Sequence, residues 1–341
     1  MTLLAEPTLG PSGDPAPAQA PAAVVMIRPH HFRPNPQTAA DNSFQVPPAA
    51  LRQAQRAVVG SAPRPTQRPE PVEGRSPDLT ELAAHAYAEV TTAADQLTAA
   101  GVRVHLFDDP APDRPDSVFC NNWFTTHADG RVVLHSMHAP NRRREPRADV
   151  VDALRAAYRV TEVVDLTDGP PLEGTGAMVL DPDRRTAYVS RSLRADDTAL
   201  ATFCARLGYR AHAFDTADRT GRAVYHTNVM LCLATGLSLV GLDLVPDPGQ
   251  RRRLAEALAQ RGEVVALSTA QVAGFAGNAL ELTGTTGRLL AMSSRGWRSL
   301  TTRQRRAVER HLPVLALDVP TLELAGGSVR CMLAGVHLPA R

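Results

Sequence analysis

With 37 Lys and Arg against 35 Asp and Glu in 341 residues, the chain has a formal net charge of +2, which argues against a general electrostatic role on nucleic acid or an anionic membrane. The four cysteines, Cys120, Cys204, Cys232 and Cys331, show no CxxC pair and no metal-ligand spacing; they suggest neither a disulfide framework nor a structural zinc, and a reducing cytoplasm suits them best. A chain of this length buries a large core, and without a run of about eighteen apolar residues no membrane span is expected.

The first 21 residues, rich in Ala and Pro, read as a disordered leader, lacking the basic start and unbroken apolar core of a signal peptide. From Ala22 the chain reads as one domain. Ala22 to Ile27 is apolar and ends at Arg28-Pro29, which predicts a buried strand. His30 to Gln45, punctuated by Pro34, Asn35, Pro36 and Asn42, reads as a loop, and Val58 to Asp78 turns to Pro, Arg, Gly and Ser, the composition of a mobile surface insertion. Leu79 to Ala100 has helical spacing with Gly101 as its cap, and Val102 to Phe107 follows as a strand. Similar cycles recur. Strand 132–135, helix 148–158 and strand 161–166 make the second; strands 177–180 and 187–189, helix 197–207 and strand 209–214 the third. Strands 229–234 and 237–242, helix 248–261 and strand 263–268 make the fourth. Strands 279–282 and 289–293, helix 302–311 and strand 313–318 make the last, before an apolar final strand after Cys331. Five units of roughly fifty residues, each ordering two strands, a helix and a strand, suggest α/β blades around one axis. The extra strand before each helix disfavours a doubly wound sheet.

Five polar clusters break this pattern at strand ends and loops, where function is usually placed. Asp116 to Trp123 sets Asn121 and Asn122 beside an aromatic residue. Leu172 to Gly176 places Glu173 ahead of a glycine turn. Ser192 to Asp196 offers Arg194. Tyr225 to Asn228 is expected to open a strand, with His226 and Asn228 on one face. Gly326 to Met332 puts Cys331 after two glycines and beside Arg330, whose charge would favour the ionised sulfur. Together they supply the parts of a cysteine hydrolase: nucleophile, general acid and base, orienting carboxylate, carboxylate anchor and neutral hydrogen-bonding groups. The arginine clusters 142–144, 251–253 and 303–306 read mostly as solvated faces.

Ten colinear stretches carry a resemblance over nearly the whole chain from Ala22. They are Met-Ile-Arg-Pro at Met26, Gln-Thr-Ala at Gln37, Asn-Ser-Phe-Gln at Asn42, Pro-Asp-Ser-Val-Phe-Cys-Asn-Asn-Trp at Pro115 and Ala-Pro-Asn-Arg-Arg at Ala139. The others are Leu-Glu-Gly-Thr-Gly at Leu172, Tyr-His-Thr-Asn-Val-Met at Tyr225, Phe-Ala-Gly-Asn at Phe275, Met-Ser-Ser at Met292 and the cysteine stretch. The set resembles the guanidine-modifying superfamily of arginine deiminases, amidinotransferases and dimethylarginine dimethylaminohydrolases, and within it the citrulline utilisation hydrolases. The resemblance implies the five-bladed α/β propeller of the pentein fold, built of ββαβ repeats around a pseudo-fivefold axis with the active site at the centre. It implies Cys331 as nucleophile, His226 as general acid and base, Glu173 as the carboxylate, and Arg194, with Arg142 as a second arginine, on the substrate's α-carboxylate. Asp116, Asn121, Asn122 and Asn228 complete the expected substrate-binding set. Relatives carry proline where this chain has Cys120. No metal or organic cofactor is called for, the partner is a small amino-acid substrate, and the oligomeric state is open.

Where relatives that bind a guanidinium place carboxylates, this chain has Asn121, Asn122 and Asn228. An amide both donates and accepts, so it can serve a neutral ureido group without leaving a charge unpaired. That favours citrulline, giving ornithine, ammonia and carbon dioxide. A guanidine substrate, as in arginine deiminases, dimethylarginine hydrolases or amidinotransferases, and a non-catalytic binding protein stay open.

Overall fold

Strands in the described residues come in threes, the middle one hydrogen-bonded along both edges. The computed structural model describes residues 19–61 and 77–341. Its strands are β1 (Ala23–Pro29), β2 (Arg103–Asp109), β3 (Phe124–Thr126), β4 (Arg131–Leu134), β5 (Glu162–Asp165), β6 (Met178–Asp181), β7 (Thr186–Ser190), β8 (Arg210–Phe214), β9 (Leu231–Ala234), β10 (Leu237–Val240), β11 (Glu263–Ala266), β12 (Leu280–Gly284), β13 (Gly287–Ser293), β14 (Val314–Leu317) and β15 (Ala334–Val336).

They form five three-stranded sheets, ordered β15-β1-β2, β3-β4-β5, β6-β7-β8, β9-β10-β11 and β12-β13-β14. In every sheet the first pair is antiparallel and the second parallel. A parallel pair needs a long crossover, and a helix supplies it each time: Pro77–Ala99, Ala148–Ala157, Asp197–Leu207, Pro248–Ala259 and Thr302–Glu309. The sheet that includes both ends of the described chain takes β15 as its leading strand, with Ala23 opposite Val336 and Val25 opposite Ala334. The fold is thus a mixed α/β arrangement of five small sheets. The leading strands β3, β6, β9, β12 and β15 all border one interior cavity of about 200 Å³.

Several expectations change at their edges. The last residues of the expected leader are packed, since the Thr283 amide and hydroxyl donate to the carbonyls of Pro21 and Ala20; the leader's first 18 residues lie outside the described ones. A helix the sequence did not announce spans Pro48–Ser61, so Val58 to Ser61 is helical, as are Pro77 and Asp78; the rest of the expected insertion, with its mobility, lies outside the described residues. Tyr225 to Asn228 does not open a strand. His226 leads into a single 3₁₀ turn, Thr227–Val229, and β9 begins at Leu231. No helix among the described residues is long and apolar enough to cross a membrane.

Candidate active site

Each leading strand is preceded by a tight turn, and the five turns converge. Cys120–Asn122 precedes β3, Glu173 and the turn Gly174–Ala177 precede β6, His226 and Asn228 precede β9, Asn278 precedes β12, and Cys331 precedes β15. Hydrogen bonds from backbone amides tie these turns down: the Glu173 amide donates to the carbonyl of Arg194 in the loop after β7, and the Arg330 amide to Asn278 Oδ1 at 3.0 Å, joining the turns ahead of β15 and β12.

Glycine is required at two of the turns. Gly326 has φ +83, and a β-carbon there would meet the Asn42 amide at 2.6 Å, so the loop that crosses the cysteine turn could not close. At Gly176 a β-carbon would stand 2.3 Å from the side-chain amide of Asn122 and 2.7 Å from His226 Nδ1, placing backbone directly beneath both side chains.

Cys331 is buried, and its sulfur meets two amides, Asn278 Nδ2 at 3.2 Å and Asn228 Nδ2 at 3.6 Å. Burial pushes its thiol pKa up, while the Ser328 amide, Asn278, Arg330 and Asn228 pull it back without cancelling the rise. His226 Nε2 donates to Glu173 Oε2 at 2.8 Å, since a carboxylate only accepts. That leaves Nδ1 as the basic nitrogen. Burial holds the imidazole pKa down at about 4 against the opposing pull of Glu173, so the ring is neutral at pH 7. Burial alone would raise the Glu173 pKa; Arg194, the His226 hydrogen bond and Arg142 reverse this and hold it well below the usual carboxylate range. Its other oxygen accepts from the His138 amide at 3.0 Å.

The two arginines differ. Arg142 is buried, so the first arginine cluster is not wholly a solvated face. It spends its fork on Glu145 at 2.8 Å twice, lies 3.5 Å from Glu173 and 3.8 Å from Asp116, and with Asn122 in the orientation its neighbours require donates to Asn122 Oδ1 at 3.0 Å. In that orientation Asn122 donates to Asn121 Oδ1 at 2.9 Å. Arg194 lies over the Tyr225 ring, 4.6 Å from its centroid, and grips Asp41 with two hydrogen bonds of 2.7 and 2.9 Å. Asp116 accepts from Asn35 Nδ2 at 2.8 Å; burial raises its pKa against the opposing Arg142.

One pocket therefore brings together Cys331, His226, Asn122, Arg142, Arg194 and Asp116 from the sequence-derived set, with only about 10 Å³ of free space among them. Glu173 and Asn228 stand just behind, on His226 and Cys331. Asn121 is adjacent but turned toward Thr175 Oγ1, 3.3 Å away. Cys120 faces elsewhere: its sulfur donates to the Val25 carbonyl, and burial pushes its thiol up to about 12. Sequence reasoning missed Asn278, although the turn before β12 was the one turn to which it assigned no site residue. It also gave no role to Asp41 and Asn42, in the stretch read as a loop, or to Tyr225, which it placed at the head of a polar cluster without a function.

A family profile described as eukaryotic N,N dimethylarginine dimethylhydrolase matches residues 75–338. The chain belongs to this family. It is accordingly a hydrolase acting on carbon–nitrogen bonds other than peptide bonds, and Cys331 is the one thiol that lines the pocket. Solved structures share the fold at low identity. The N-terminal domain of ArgZ, an arginine dihydrolase from the ornithine-ammonia cycle in cyanobacteria, superposes with TM-score 0.67 at 17% identity, covering 93% of this chain and 98% of that one. Unliganded AgrE gives 0.67 at 18% identity, covering 94% of this chain and 40% of that one. A dimethylarginine dimethylaminohydrolase adduct with S-methyl-L-thiocitrulline gives 0.58 at 14% identity, covering 92% and 98%. No curated protein matches in sequence.

Proposed function

We propose that this protein hydrolyses the ureido C–N bond of citrulline or a close analogue, giving ornithine, ammonia and carbon dioxide, as a citrulline-hydrolase branch of the guanidine-modifying enzymes. The observation that carries the reading is that, among the described residues, the side chains hydrogen-bonded to the Cys331 sulfur are the amides of Asn278 and Asn228, and none is a carboxylate. A buried guanidinium at that position would lack an opposing charge, whereas a ureido carbonyl and amino group find donors and acceptors. Asp116 does not fill the role, being engaged by Asn35 and faced by Arg142.

In this reading Arg194 anchors the substrate's α-carboxylate, and Asp41 occupies that fork until the substrate displaces it. Arg142 acts as a positioning residue, holding Asn122 and balancing Glu173. Neutral His226 takes the thiol proton through Nδ1, and the thiolate attacks the ureido carbon. The same proton returns to the leaving nitrogen, so that ornithine departs and a carbamoyl thioester remains on Cys331. His226 then draws a proton from water, whose attack breaks the C–S bond and releases carbamate, which falls to ammonia and carbon dioxide. The five sheets act as blades of one α/β propeller, supported by the cavity that all five leading strands border.

A guanidine substrate is the second reading, favoured by the family match and by the arginine named for ArgZ. Incubation with citrulline, arginine and methylated arginines separately, following ornithine, citrulline and ammonia, decides between them. Ornithine and ammonia from citrulline alone are expected; consumption of arginine or a methylarginine with citrulline untouched sinks the proposal.

A further inference from the structure

The pocket around Cys331, with about 10 Å³ of free space, has a roomier neighbour of about 200 Å³ on the other side of the same turn. The walls of this larger cavity are the leading strands of all five sheets, and the residue that joins it to the active site is Arg330. Arg330 precedes the nucleophile, lines the large cavity and does not line the pocket. Of an arginine's five donors, one goes to the Leu333 carbonyl at 2.9 Å; among the described residues no carboxylate lies within ion-pair reach of the guanidinium. Arg330 keeps part of its surface exposed, so its remaining donors are open to an anion that enters this space.

The rest of the lining does not supply the missing charge. Asp129 is its one carboxylate, and Asp129 is bound by Arg131 through Nε and Nη2 at 3.1 and 2.5 Å. The second cation on the wall, Arg185, lies over the Tyr209 ring and donates to the Leu207 carbonyl. Burial keeps His127 neutral, with its pKa near 3. Val179, Leu231 and Leu280 supply the apolar part of the wall, and Thr125, Thr126 and Thr175 also line it.

We propose that this cavity is a binding site for a small planar oxyanion, bicarbonate or a short carboxylate, held by the free fork of Arg330. The fork suits two coplanar oxygens, and a space of about 200 Å³ admits such an ion with its water. Binding acts on the active site through the same residue: Arg330 and Cys331 stabilise one another's charged forms, so an anion on Arg330 withdraws support from the thiolate without entering the pocket. The site works as an inhibitory one that does not compete with substrate.

Titration calorimetry of the full chain with bicarbonate and with formate, at constant ionic strength, reads binding without turnover. The rate at which iodoacetamide alkylates Cys331 reads the effect on the sulfur. Saturable binding of both anions is expected, with alkylation slowed about tenfold as the opposing charge is neutralised. Arg330→Gln should abolish binding. Val179→Phe, which fills the cavity and keeps the arginine, should weaken it and leave alkylation of the anion-free protein unchanged. No saturable binding of either anion, or binding kept in both variants, overturns the site, and binding that leaves alkylation unaltered overturns the coupling. Neither measurement depends on which substrate the enzyme takes.

Discussion

On the two sides of the Cys331 turn, the same backbone borders opposite environments. Toward the pocket every charge is matched: Glu173 with His226, Arg142 and Arg194; Glu145 with Arg142; Asp41 with Arg194. Little room is left there. Toward the cavity bordered by the five leading strands the space is some twenty times larger, and Arg330, next to Cys331, donates to the Leu333 carbonyl and has no carboxylate partner among the described residues. Free volume is therefore a poor guide to the chemistry here. If Cys331 is the nucleophile, the reacting side is the one packed with buried, preorganised charges, which act strongly in a low-dielectric site and need no reorganisation when they are used.

If that matching is what makes the packed side work, removing its common member should cost most. Glu173 is fully buried and faces three cationic or proton-donating partners. Glu173→Gln is expected to lower kcat by about 10²–10⁴-fold and to destabilise the fold by about 3–5 kcal/mol, measured by turnover and by denaturant unfolding. A variant with near-normal kcat would show that His226 needs no carboxylate.

The close approach under the catalytic groups gives the next effect. Gly176→Ala forces Asn122 and His226 apart, and displacement of about 1 Å should reduce kcat by roughly 10²-fold with a modest fall in Tm. Unchanged kinetics would mean that the turn yields without moving either side chain.

How far the sequence reached can be judged from these same residues. The helix–strand alternation gave the five sheets, because each middle strand is an apolar run between clear turn signals. The three-residue β3 was too short to carry a period, and the pairing of β15 with β1 joins residues more than three hundred apart, which no local pattern encodes. The turns ahead of β3, β6, β9 and β15 stood out by their polar residues. Asn278 did not, because one asparagine after a glycine reads as an ordinary turn. Asp41 was illegible for a different reason: its role exists only where a remote loop folds over Arg194.

A smaller effect tests that loop. If Asp41 competes with the substrate's carboxylate for Arg194, Asp41→Asn should lower KM about fivefold with kcat little changed, because the binding-competent form is then more populated. A higher KM would make Asp41 a substrate contact instead.

The subtlest difference lies in protonation. Burial lowers the pKa of His226 to about 4 and of His127 and His135 to about 3. With folded values below the unfolded value of about 6.5, each contributes stability that is present above that pH and is lost as pH falls through 6.5 toward the folded value. Imidazole resonances followed by NMR should therefore stay neutral from pH 7 to 5. A midpoint near 6.5 for His226 would mean that the packed pocket does not exclude water.

The central claim, that Cys331 attacks a neutral ureido carbon, is tested most directly by the covalent intermediate. Citrulline turnover quenched in acid, digested and weighed by mass spectrometry should show one carbamoyl group on the peptide carrying Cys331, and none in Cys331→Ala. No adduct from citrulline, with an amidino group appearing on the same peptide after arginine, would contradict the account.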